Sequence, residues 1–142
     1  MQKIADGPFA KLLGTWTTTG KIYHEDKILE LRGTDTYRLI VDGNYILHEA
    51  CVLMGPDKSE TFEVIYPAGA QQKAQMHYFN SEAANGIMSA EITSHNFAID
   101  GAGIKFRGRF SIDYSTISGK WEVQAADNNW TLFIDILLEK QG

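Results

Sequence analysis

The chain has 142 residues, which suits one domain of the usual ~100–200 residues spanning 1–142. Acidic residues outnumber basic ones 18 to 13 for a formal charge of −5, and 44% of the residues are hydrophobic and 22% charged. This balance excludes a disordered, collagen-like or coiled-coil chain, and the acidity argues against nucleic acid as a partner, because the phosphates need a dense positive field.

The start, Met1-Gln-Lys-Ile-Ala-Asp-Gly-Pro, lacks the basic-then-apolar pattern of a signal peptide. No apolar run approaches the ~20 residues of a membrane helix, so no membrane partner is expected. Asp6 and Pro8 suit the cap and first turn of a short helix, Phe9, Leu12 and Leu13 share one face, and Gly14 ends it. So short a helix must lean on something apolar, and the open end of a barrel would serve.

Strands follow. Thr15 to Tyr23 is rich in β-branched and aromatic residues, with Trp16, Thr18, Gly20 and Ile22 on one side. Leu31 to Val41 and Asn44 to Met54 flank Asp42-Gly43, a strong two-residue hairpin signal. That turn sets a register in which Leu39 faces Ile46 and Tyr37 faces His48. Arg38 and Glu49 become diagonal neighbours able to pair. The set Tyr37, Leu39 and His48 carries no formal charge and is read as the inner one. The other side, with Ile40, Tyr45 and Leu47, is also partly apolar, so the hairpin is covered on both sides or used in homodimer contact.

Glu60 to Tyr66 alternates, with Phe62, Val64 and Tyr66 on one face. Lys73 to Asn80 and Gly86 to Ser94 come next, joined by a turn placed over one barrel mouth. Asn96 to Asp100 is short. Gly103 to Asp113 sets Ile104, Phe106, Gly108, Phe110 and Ile112 against Lys105, Arg107, Arg109 and Ser111, with Arg107 and Arg109 facing solvent. Ile117 to Gln124 and Trp130 to Leu138 close the chain. The expected fold is therefore all-β: one antiparallel up-and-down barrel of about ten strands with a short N-terminal helix. A closed barrel also removes aggregation-prone edges. Cys51 is the only cysteine, so no intrachain disulfide can form; a buried inert thiol and a cytoplasmic location are expected.

At Phe9-Ala-Lys-Leu-Leu-Gly-Thr-Trp16 the chain resembles the calycin superfamily, the lipocalin-like and fatty-acid-binding-protein-like barrels. Those proteins open with a short apolar helix and then Gly-x-Trp, here Gly14-Thr15-Trp16. The resemblance implies that Trp16 plugs one barrel end and packs against a cation late in the chain, for which the candidate is Lys140 in place of the more usual arginine. Leu47-His-Glu, Tyr78-Phe-Asn-Ser-Glu and the segment from Gly119-Lys-Trp-Glu to Trp130-Thr-Leu-Phe are similar to a bacterial lipocalin-like group of uncharacterised proteins.

The expected function is binding of a small hydrophobic molecule inside the barrel, with Tyr37, His48, His77, Phe79, Phe106 and Trp121 as candidate contacts. The last strand holds no arginine or tyrosine, which disfavours a strict fatty-acid-binding reading. An alternative is a small-molecule enzyme of isomerase or lyase type, using His48, His77 or Glu91 for proton transfer. His48 and Glu49 are adjacent on a strand and cannot form a dyad. A haem-binding barrel of the nitrobindin type would need an axial histidine near the chain end, and His24, His48, His77 and His95 all lie earlier. No metal or cofactor motif is present.

Overall fold

Alternation of apolar and polar side chains over ten successive segments produces ten strands, each joined to the next by a short turn. The computed structural model describes residues 2–142. Two 3-10 turns, Ile4–Asp6 and Pro8–Leu12, precede β1 (Gly14–His24), β2 (Lys27–Ile40), β3 (Tyr45–Met54), β4 (Asp57–Ala68) and β5 (Ala70–Asn80). Then come β6 (Asn85–Thr93), β7 (Asn96–Gly101), β8 (Ile104–Phe110), β9 (Thr116–Gln124) and β10 (Trp130–Lys140). All pairs are antiparallel, and β1 closes the ring against β10. The expected up-and-down barrel is thus the observed one, and no strand edge is left open.

One end is plugged from the N-terminal side. Phe9 and Leu12 are buried, and Trp16 at the base of β1 donates its indole N–H to the Leu12 carbonyl at 2.8 Å. The Lys140 ammonium sits 4.9 Å from the centre of the Trp16 ring, so lysine takes the place proposed for it. Gly14 adopts φ +128° where the plug turns into β1, directly beneath the Lys140 side chain. The plug is shorter and tighter than an α-helix. Gly7, not Asp6, occupies its cap position, no side chain caps it, and Leu13 terminates it before Gly14 begins the strand.

The main core joins the plug to the inner face of the wall through Trp16, Tyr37, Ile46, Ile65, Met76, Phe97, Phe106, Phe110 and Ile117. A smaller cluster of Ile22, Leu31 and Ile134 fills part of the other end. Phe106 lies across Gly108 and Gly119, where a Cβ would approach its ring to 2.5 Å. The two glycines make room for that ring, and its edge meets Phe97 with centroids 5.6 Å apart.

Three expectations change. Cys51 is exposed, because His48 points inward and the odd-numbered positions of β3 therefore face out. Leu39 is 39% exposed at the lip of the barrel, although it pairs with the buried Ile46 as anticipated. The strand after Gly103 stops at Phe110, because Asp113 gathers the Ser111 hydroxyl and the Ser115 amide and hydroxyl into a turn. Those bonds from Ser115 and Ser111 hold the Asp113 carboxyl down at about 2. Ile112 is left 91% exposed on that turn.

Candidate functional site

The Asp42-Gly43 turn, with φ of 57° and 76°, returns the chain so that Tyr37 pairs with His48 and Leu39 with Ile46. Arg38 and Glu49 stand 3.8 Å apart on the outer wall. Inside, the rings of Tyr37 and His48 stack with centroids 4.0 Å apart and planes 6° from parallel. Pairing of β3 with β4 sets Glu63 opposite His48, and Asp35 lies two residues before Tyr37 on the same face of β2. Three neighbouring strands thereby bring one imidazole between two carboxylates.

The imidazole spans the gap. Its Nε2 lies 2.6 Å from Asp35 Oδ2 and its Nδ1 lies 2.9 Å from Glu63 Oε1. Thr18 on β1, fully buried, donates its hydroxyl to the other Asp35 oxygen at 2.5 Å. Burial alone would lower the histidine pKa. The hydrogen bonds to Asp35 and Glu63, together with their charges, overcome that and carry His48 up to about 10. As an imidazolium it donates an N–H to each carboxylate. The trio then keeps one uncompensated negative charge. Burial, with the charges of Asp35 and Glu63 behind it, also pushes the Tyr37 hydroxyl well above its usual range, so it stays neutral.

A cavity of about 370 Å³ opens over this trio. Asp35, Tyr37, His48 and Glu63 form its polar corner, and Phe97, Phe106, Ile117, Trp121, Phe133 and Ile136 are among its apolar walls. Ala50, Thr61, Asn80 and Ile104 line it away from the plug. The volume sits at the lower end of the ~300–1,000 Å³ typical of ligand pockets.

Of the six candidate contacts, Tyr37, His48, Phe106 and Trp121 line the cavity. His77 and Phe79 do not. Met76, Tyr78 and Asn80 take the inward positions of β5, so His77 and Phe79 stack on each other on the outer wall, 4.6 Å between centroids. The expected placement on the inner face is corrected by that strand phase. Glu91 is also outside. Arg107 and Arg109 face outward as expected and bond to Asp100 and Asn96.

Asp35, Glu63 and Phe133 were not among the sequence candidates. Glu63 alternates with Ile65, and its pairing with an inward histidine was the available signal. Phe133 reaches the cavity because β10 shifts register between Leu132 and Ile134. Among the described residues, no group of three metal-ligating side chains has the geometry to hold an ion, and no helix is long and apolar enough to cross a membrane.

No protein-family model matches the chain, and no curated protein matches it. Solved structures do. Rv2717c from M. tuberculosis superposes with a TM-score of 0.76 at 11% identity, over 100% of this chain and 99% of that one. The S-type phycobiliprotein lyase CPES from Guillardia theta superposes with a TM-score of 0.56 at 10% identity, over 94% of this chain and 90% of its own. At such identities the likeness establishes the shared lipocalin-like barrel fold and nothing finer.

Proposed function

We propose that the barrel binds one small molecule, its apolar body against Phe106, Trp121 and Phe133 and its polar group against the Asp35–His48–Glu63 corner. The observation that carries this reading is the cavity of about 370 Å³ whose charged groups converge at one buried corner. A filled barrel would have no reason to keep two carboxylates inside, because buried charge is costly even when paired. Fold likeness to a protein named a phycobiliprotein lyase supports a role with small molecules. Native mass spectrometry of freshly purified protein, before and after denaturing extraction, tests the reading. A stoichiometric co-purifying small molecule is expected; its absence, with no saturable binding of a neutral lipophilic dye, would overturn it.

The same reading places the chain in the uncharacterised bacterial lipocalin-like group, working in the cytoplasm. Gly14-Thr15-Trp16, with Lys140 over the indole, supports the group; the single cysteine supports the compartment. Self-association through the outer wall of β3 to β6 belongs to it as well, because Tyr45, Phe62, Phe79 and Ile87 are exposed there together. Sedimentation of the wild type and of F62S would detect it.

The enzymatic alternative, of isomerase or lyase type, is favoured by one observation, the histidine held between carboxylates. Both ring nitrogens are engaged, however, and the imidazole keeps its proton through the neutral range, which suits it to positioning and not to general-base work. The same engagement leaves no His48 nitrogen for a haem iron. His77 lies on the outer wall, and His24 and His95 also lie outside the cavity lining.

A further inference from the structure

We infer that the cavity selects an organic monocation, a protonated amine on an apolar body, seated between the free oxygen of Glu63 and the hydroxyl of Tyr37. The inference rests on the binding reading above and adds the chemical class of the ligand.

Hydrogen-bond supply in the polar corner points one way. Both N–H groups of His48 are spent on Asp35 and Glu63. Asp35 has a donor on each oxygen, one from His48 and one from Thr18. Glu63 Oε1 is used, while Oε2 has no partner among the described residues, and neither has the Tyr37 hydroxyl. Glu63 is 5% exposed and Tyr37 7%, and both line the cavity. Every fully enclosed side-chain nitrogen and oxygen among the described residues is paired, so both of these oxygens face the open space, which the polar side chains of Thr61, Tyr78 and Asn80 also line. The carboxylate oxygen can only accept and the phenol can accept as well as donate, so an ammonium, with more than one hydrogen, can engage both.

Charge points the same way. Among the described residues no lysine or arginine lines the cavity, and the single cation there is already shared between two carboxylates. A ligand carboxylate would add a third negative group beside Asp35 and Glu63, with no free cation to receive it. A cation neutralises the surplus charge and gains the short, charge-assisted bond that desolvation makes strong. Tyr37, Tyr78, Phe106 and Trp121 add aromatic faces, which attract cations and pack an alkyl or aryl body equally well.

Calorimetric titration with n-octylammonium, n-octanol and n-octanoate, three heads on one chain, tests this at neutral pH in low and high salt. The ammonium is expected to bind about tenfold or more tighter than the alcohol, with octanoate weakest, and the order should persist in high salt, where attraction to the acidic surface is screened. Glu63→Gln should abolish the ammonium's advantage over octanol. Tyr37→Phe removes one unpaired hydroxyl without disturbing the ion trio, and should weaken the ammonium alone by a smaller factor if Glu63→Gln does not fold. Octanoate binding as tightly as octylammonium, or an ammonium advantage that survives both substitutions, would overturn the charge inference while leaving the binding reading intact. No binding of any of the three would overturn both.

Discussion

Raising the pH should unload the barrel's internal ion trio, and the loss can be worked from His48. Its pKa is about 10 in the folded protein against 6.5 for a free histidine. Below pH 6.5 the imidazole is protonated in both states, and the full stabilisation is present. Above that value the unfolded chain gives up the proton while the folded one keeps it, so stability falls by about 1.4 kcal/mol per pH unit. The fall continues until the folded group titrates, for a total of roughly 4–5 kcal/mol lost by pH 10. Urea unfolding at a series of pH values measures it, with His48→Gln as the reference in which every other titrating group is retained. The difference between the two proteins should shrink steadily across that window. Near neutral pH the variant should be less stable by about 3–5 kcal/mol, since Asp35 and Glu63 lose their counter-charge. A wild type and variant that lose stability in parallel, or a wild-type curve flat through the window, would refute the charged trio.

Other consequences follow from packing. Gly119→Ala would drive a methyl into the Phe106 ring and the Arg107 carbonyl, at 2.5 and 2.7 Å, and should cost about 1–3 kcal/mol in chemical unfolding. Ser118→Ala, on the exposed side of the same strand, should stay within about 0.5 kcal/mol. Lys140→Met keeps the length of the side chain but removes the cation over Trp16, and should lower stability by about 0.5–1 kcal/mol, with a changed near-ultraviolet tryptophan signal.

Much of this molecule could be read from its sequence because strand alternation and turn chemistry are local. The Asp42-Gly43 turn determined the pairing of Tyr37 with His48, and the lack of formal charge on the set Tyr37, Leu39 and His48 indicated which way that pair faces. The Gly14-Thr15-Trp16 segment and Lys140 located the plugged end. The rest of the site resisted the same logic. Asp35 and Glu63 are carboxylates where a barrel interior should be apolar, and they are tolerated only because His48, between them on the neighbouring strand, holds a proton for both. β5 misleads because each of its faces carries an aromatic ring: Met76 and Tyr78 on one, His77 and Phe79 on the other. Only pairing with β4 decides the phase, since Glu63 and Tyr78 share a face. Phe133 owes its place to a register shift, which strict alternation cannot anticipate. Cys51 followed the phase of β3, overriding the usual burial of a free thiol.

The most direct test of a ligand-binding interior is saturable binding of a neutral polarity-sensitive dye to the wild type and to Ala50→Trp. Ala50 lines the cavity beside the polar corner, paired with Asp35 and Thr61, so an indole there fills the space while the outer wall is unchanged. One saturable site in the wild type, lost in a variant with unaltered melting, is the expected result. Equal binding by both proteins would place the dye on the exposed aromatic wall of Phe62 and Phe79 and contradict a binding site within the barrel.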